Sequence, residues 1–221
     1  MPRVLAVLAV GMCPLLIAVE SLNAQSNIGR PLIVRTYNVR GLSGERLEAA
    51  WRTAEGILRT AGIGLTWRDC RTVRGPSATS LDRCEDLLQD LELVLRIVDA
   101  PADVASLRRS AQPLGFSYVD VGSRAGTLAT VFADRIEAFA IRSRTEGSLV
   151  LGRAIAHEIG HLLLGTIEHS TWGLMRSEWP DTAPNWDAGD EWRFSSDESA
   201  ALRRAVFERA TMLVRRIPAP R

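Results

Sequence analysis

The chain has 221 residues, 46% of them hydrophobic, and its 27 Lys and Arg nearly balance 26 Asp and Glu for a net charge of +1. That balance leaves nothing that argues for nucleic acid as a partner. The length suits one domain with a substantial core.

Met1, Pro2 and Arg3 give a basic start, followed by an apolar run of 16 positions, 4 to 19. This is the pattern of a secretory signal peptide, residues 1–24, with cleavage after Ala24. The run falls short of the ~20 apolar residues that span a bilayer, and Pro14 interrupts it, so no membrane attachment is expected after cleavage. Residues 25–221 then form a single domain in a secreted or periplasmic compartment. Residues 32–39 alternate through Ile33, Val34 and Tyr37 and predict a first strand. Residues 45–60 carry helical periodicity through Leu47, Ala50, Trp51, Ala54, Ile57 and Leu58, and Gly62 and Gly64 end that helix. Leu65, Thr66 and Trp67 form a short second strand running into Cys70. Cys70 and Cys84 bracket a polar segment containing Gly, Pro and Ser, and in an oxidising compartment the two are expected to join. A thiolate metal pair is the alternative, although the spacing is not that of a zinc knuckle.

Residues 91–98 are nearly continuous apolar and β-branched, as in a strand buried on both faces, and Asp99, Ala100 and Pro101 stop it. Residues 116–121 and 128–132 predict two more strands around a glycine-containing loop, 122–126. Residues 133–141 either extend the second of these or form a short helix. Residues 148–164 predict a long helix whose apolar surface comes from residues such as Val150, Ile155, Ile159 and Leu162, with Gly165 placed to end it. Residues 172–194 are irregular and rich in Trp, Pro, Gly and Asp. Ser195 or Ser196 is the N-cap of a final amphipathic helix reaching about residue 215.

All three histidines of the chain, His157, His161 and His169, fall between positions 157 and 169. Residues four apart on a helix share a face, with roughly 5–6 Å between Cβ atoms, so the first two imidazoles can converge on one ion. Two imidazoles on a mostly apolar core helix need partners, because an unpaired buried polar group costs about 2 kcal/mol or more. Zn2+ satisfies them. Glu158, next in sequence to the first histidine, is suited to take a proton from metal-activated water as it attacks a carbonyl, and to pass it to the leaving amine. Catalytic zinc takes three protein ligands and keeps one open position, and His169 is the candidate third ligand.

From His157 through Met175 the chain resembles the metzincin zinc peptidases, and their matrixin branch most closely. The family pattern is HExxHxxGxxH, followed by a methionine in a tight turn beneath the metal. The resemblance covers about residues 149–176. It implies that His157, His161 and His169 hold Zn2+, that Glu158 is the general base, that Gly165 is the turn glycine and that Met175 is the methionine of the turn. Together with the order of elements it implies an α+β fold of zincin type: a mixed sheet with a supporting helix, an HExxH metal helix beneath the sheet, and a C-terminal helix. Two offsets depart from the family. Its glycine and third histidine follow the second histidine by three and six positions; here they follow by four (161 to 165) and eight (161 to 169). One added helical residue swings the exit direction by about 100°, so the loop must re-aim His169 by another path. Glu168, Glu178 and Asp181 are the alternative third ligands. The 14 positions from His161 to Met175 match matrixin spacing.

In such a fold the last strand before the metal helix often forms the upper rim of the cleft, so residues 127–134 are the candidate edge for pairing with an extended peptide. A strand paired on both sides is the other reading. Trp172, Trp179, Trp186 and Trp192 either wall a pocket or hold down the irregular segment. No Tyr or His follows His169, so oxyanion support must come from zinc, backbone N–H groups or a basic residue such as Arg176. The expected function is that of a secreted zinc-dependent endopeptidase acting on a peptide or protein substrate. Two rivals stand beside it: a zinc hydrolase of a non-peptide amide, and a non-catalytic metal-binding or interaction module.

Overall fold

The computed structural model describes residues 30–70, 82–101, 113–180 and 189–216. The expected signal peptide, Asp181 and Trp186 lie outside these residues. Five strands form one sheet: β1 (Leu32–Asn38), β2 (Leu65–Asp69), β3 (Glu92–Val98), β4 (Gly115–Asp120) and β5 (Ala125–Phe132). Their spatial order is β2-β1-β3-β5-β4, parallel throughout except for β4, which pairs antiparallel with β5. Four longer helices accompany the sheet: α1 (Gly44–Thr60), α2 (Ala133–Ser143), α3 (Gly147–Leu164) and α4 (Ser196–Arg216). The mixed sheet, supporting helix, motif-bearing helix and C-terminal helix expected from the sequence are all present.

Period-2 patterning decides which sheet face is packed. Leu32 and Val34 of β1, Leu93, Leu95 and Ile97 of β3, and Ala129 and Val131 of β5 join one core with α1 and α3. Each of these buried leucine, isoleucine and valine side chains contributes roughly 1.5–3 kcal/mol of burial free energy, and the alanine less. β3 departs from the expectation of burial on both faces. Its second face carries exposed Arg96 and the buried carboxylate of Glu92. Glu92 is paired with Arg35 and, at 2.7 Å, with Arg68. Arg35 also donates to the carbonyls of Cys84 and Asp86, which fastens the chain beyond the disulfide to the sheet. Cys70 and Cys84 are bonded, with Cα atoms 5.8 Å apart, so the thiolate alternative falls away.

Residues 133–141, ambiguous by pattern, belong to α2, whose buried Ala133, Ile136, Phe139 and Ala140 recur at helical spacing. Arg144 ends α2 in the left-handed region at φ 53°. The expected rim strand is corrected. β5 is an interior strand between β3 and β4, and β4 is the outer edge. The β4–β5 hairpin returns antiparallel while β5 takes the parallel position beside β3, so β4 is left outermost.

α3 passes through the centre of the domain and is buried along nearly its whole length. Glu146 caps it by accepting from the N–H groups of Ser148 and Leu149 at 3.0 and 2.8 Å. Gly165 closes it in the left-handed conformation, φ 64°, with its N–H on the His161 carbonyl. α4 begins with a reciprocal box in which Glu198 N–H donates to Ser195 Oγ and Ser195 N–H to Glu198 Oε2. Among the described residues no helix is long and apolar enough to cross a membrane.

Candidate metal centre

α3 carries His157, Glu158 and His161, all buried. The Nδ1 of His157 lies 2.8 Å from the Leu174 carbonyl and that of His161 lies 2.8 Å from the Thr166 carbonyl. A carbonyl only accepts, so each neutral ring is fixed as the Nδ1–H tautomer and leaves its Nε2 lone pair bare. Those two Nε2 atoms face each other at 3.1 Å. Two bare lone pairs at that distance repel unless a cation sits between them. Two ligands about 2.0–2.1 Å from one zinc ion at the tetrahedral angle stand about 3.3 Å apart, so the pair fits a shared ion.

The loop after α3 turns back and brings His169 to the same point. The ring centroids of His157 and His161 lie 5.4 and 4.8 Å from that of His169, and the three residues' ligand atoms lie within 4.8 Å of one another. His169 is exposed while the other two are buried. Among the described residues this group with metal-ligand spacing consists of the three histidines; Glu168 and Glu178 are outside it, and Asp181 lies beyond the described residues. The two altered offsets are absorbed locally. Thr166 supplies the carbonyl that orients His161, and its hydroxyl accepts from the Glu168 N–H at 3.0 Å to turn the chain.

Burial and mutual charge shape the protonation states. Burial, aided by the neighbouring His161, pushes the His157 pKa down to about 3, and burial likewise lowers that of His161. Both are therefore neutral near pH 7, as metal ligands must be. Burial pushes the Glu158 carboxyl up to about 8. Its partner is Ser117 of β4, whose Oγ lies 2.7 Å from both Oε2 and the main-chain carbonyl of Glu158. In the neutral state the carboxyl O–H donates to Ser117 and the Ser117 O–H to the carbonyl; on ionisation the hydroxyl proton turns to the carboxylate. Gly115, on the same strand, leaves room for the acid, since a Cβ there would lie 2.8 Å from Glu158 Oε1.

Beneath the histidines, Met175 and Phe194 pack against Gly160, where a Cβ would come within 2.7 Å of either side chain. Met175 is thus a buried side chain packed against the helix that carries the histidines. A cleft of about 950 Å³ opens over the site. Its lining includes β4 residues 115–117, Ile167, and Phe139 of α2, whose ring meets that of Trp179 edge-on at 6.2 Å. Trp179 meets His157 edge-on at 5.9 Å and stands against buried Trp192 at 5.0 Å, so it both walls the cleft and anchors the irregular segment. Trp172 is exposed. Arg176 lines the cleft, but its guanidinium sits over the Trp192 ring and beside Glu191 at 3.6 Å.

Ser117, Phe139 and Phe194 were missed by the sequence reading. Ser117 had a signal: it is a lone small polar residue on the inward face of a strand whose outward positions are Phe116 and Tyr118. No protein-family model matches the chain, and no curated protein matches it. Among solved structures it is similar to a zinc-dependent peptidase from Methanocorpusculum labreanum (strain Z), at 16% identity, covering 77% of this chain and 99% of that one, with a TM-score of 0.45.

Proposed function

We propose that this chain is a zinc-dependent endopeptidase of the metzincin type, exported and active outside the cytoplasm. The observation that carries the reading is the pair of buried imidazoles whose bare Nε2 atoms face each other at 3.1 Å with a third imidazole beside them. A carboxyl group adjacent in sequence to the first of them separates this set from a purely structural site, which has no use for a base. The disulfide supports export, because such bonds persist in oxidising compartments.

His157, His161 and His169 would hold the ion. Zinc supplies Lewis-acid polarisation of the scissile carbonyl, a lowered pKa for water, and a positive charge that favours the ionised form of a neighbouring carboxyl. Glu158 accepts the proton of the attacking water as the new C–O bond forms, then delivers it to the amine nitrogen as the C–N bond breaks. Ser117 holds the Glu158 carboxylate by a single hydroxyl, which keeps the base aimed while its proton comes and goes. Among the described residues no strand pairs with the outer edge of β4, which supports its use by an extended peptide, and Phe139 and Trp179 wall an apolar part of the cleft that suits a large side chain.

Replacing Glu158 by Gln tests the reading. Elemental analysis of the purified variant should find zinc as in the unaltered protein, and digestion of a peptide library should fall by at least about 100-fold. His161→Ala should lose the metal. Hydrolysis by Glu158→Gln at the unaltered rate would end the proposed mechanism, and zinc-loaded protein that spares all peptides but cleaves a small amide would move the activity to the non-peptide class.

A further inference from the structure

We infer that Glu198, at the start of α4, is a positioning residue for the third histidine, acting through Ser170; this rests on the zinc reading above. Ser170 directly follows His169, and its hydroxyl is hydrogen-bonded to Glu198 Oε1. The other oxygen of the same carboxylate accepts the Ser195 N–H at 2.7 Å, completing the helix cap. One side chain therefore ties the third-ligand loop to a helix end 28 residues away. The loop is closed at the same place from its own side, where the Ser170 N–H donates to the Met175 carbonyl at 2.9 Å.

Neighbouring residues extend the clamp to the first histidine. Leu174 N–H donates to the Arg193 carbonyl at 3.0 Å, and the Leu174 carbonyl orients His157. α4 is itself fixed to the domain: Leu202 is fully buried, Arg203 donates to the Ala61 carbonyl at 2.9 Å, and Arg209 donates to the Gly126 carbonyl at 2.7 Å. His169 is the exposed member of the trio and sits on a loop whose spacing does not aim it. Holding Ser170 restricts that loop before any ion arrives, so less conformational entropy is lost on binding. Groups hydrogen-bonded directly to metal ligands change affinity by about 10–100-fold when removed, and a tether on the neighbouring residue is expected to act at the lower end of that range.

Zinc affinity, read by competition with a chromogenic chelator, tests the inference alongside thermal melts of the metal-free protein. Ser170→Ala breaks the link yet leaves the cap intact, so it should weaken zinc binding by roughly 10-fold or more with the metal-free melt little changed. Ser170→Thr, which keeps the hydroxyl, should restore affinity. Adding Ser170→Ala to Glu198→Ala should weaken zinc no further than Glu198→Ala alone. If Ser170→Ala binds zinc as tightly as the unaltered protein while Glu198→Ala only lowers the melt, Glu198 is a helix cap alone and the inference is overturned. If the unaltered protein takes up no zinc, the functional reading fails and the inference falls with it; unaltered zinc binding in Ser170→Ala overturns the inference and leaves that reading standing.

Discussion

Uptake of zinc near neutral pH should expel a proton from Glu158. In the metal-free protein burial holds this carboxyl near a pKa of about 8. At pH 7 the neutral form then outweighs the ionised form by about ten to one, so about 0.9 of a proton resides on it. A divalent charge beside the group reverses that preference. His157, with its pKa pushed down to about 3, has no proton to give at this pH. The perturbation is Glu158→Gln, which keeps the shape and removes the titration. Calorimetric zinc titrations in two buffers of different ionisation enthalpy count the protons released. The unaltered protein should release about 0.9 more per zinc than the variant at pH 7, and the difference should shrink to about 0.1 at pH 9. Equal release by the two proteins at pH 7 would refute the claim that burial keeps Glu158 neutral until the cation arrives.

His157 makes the metal-free protein sensitive to acid. Its folded pKa of about 3 lies below the ordinary 6.5, so between those values the unfolded chain binds a proton that the folded chain does not. Its contribution is complete above pH 6.5 and is lost as pH falls towards 3, with a slope of at most ~1.4 kcal/mol per pH unit. Glu158, raised to about 8, gains stability over the same interval and offsets this loss, so the test is a difference: urea unfolding at pH 6.5 and 4.5 should show that acidification favours metal-free His157→Gln over the metal-free unaltered protein, and equal changes in the two would count against it. Gly115→Ala places a Cβ 2.6 Å from the Thr130 carbonyl oxygen and 2.8 Å from Glu158 Oε1, so peptide hydrolysis should drop while zinc content holds. Unchanged turnover would show that the Glu158 side chain yields freely. Cutting the Cys70–Cys84 link by replacing both with Ser should lower stability by ~3 kcal/mol, given the short loop it closes, and denaturant midpoints measure the change.

Much of this molecule was legible because its signals are local. The apolar stripe through Val150, Ile155, Ile159 and Leu162, with a glycine after it, specifies α3, and the four-residue step from His157 to His161 then places both rings on one face. The helix cap at Ser195 and the joining of Cys70 with Cys84 were readable for the same reason. Strand order was not. Phe116 and Tyr118 show that β4 is a strand, but nothing within it says whether β4 or β5 bonds to β3, and the rim was therefore assigned to the wrong member of the hairpin. The polar face of β3 was equally hidden, since Glu92 is neutralised by Arg35 and Arg68 from two other strands.

His169, the proposed third ligand, shows why spacing is a weak guide once a loop has distant anchors. Four residues beyond Gly165 can extend about 13–14 Å, more than enough to return to the His161 ring, so reach does not decide where His169 points. What aims it is the Thr166 turn on one side and the Ser170 anchor on the other. Glu198 looks complete in sequence as the acid of a capping box, and a capping box uses only one of its two oxygens. The free oxygen is what the loop takes. A change in ligand offset can thus be tolerated wherever the insertion supplies a carbonyl for the preceding histidine and the following residue finds a fixed acceptor. Motif matching registers the offset as a fault because neither of those partners lies inside the motif.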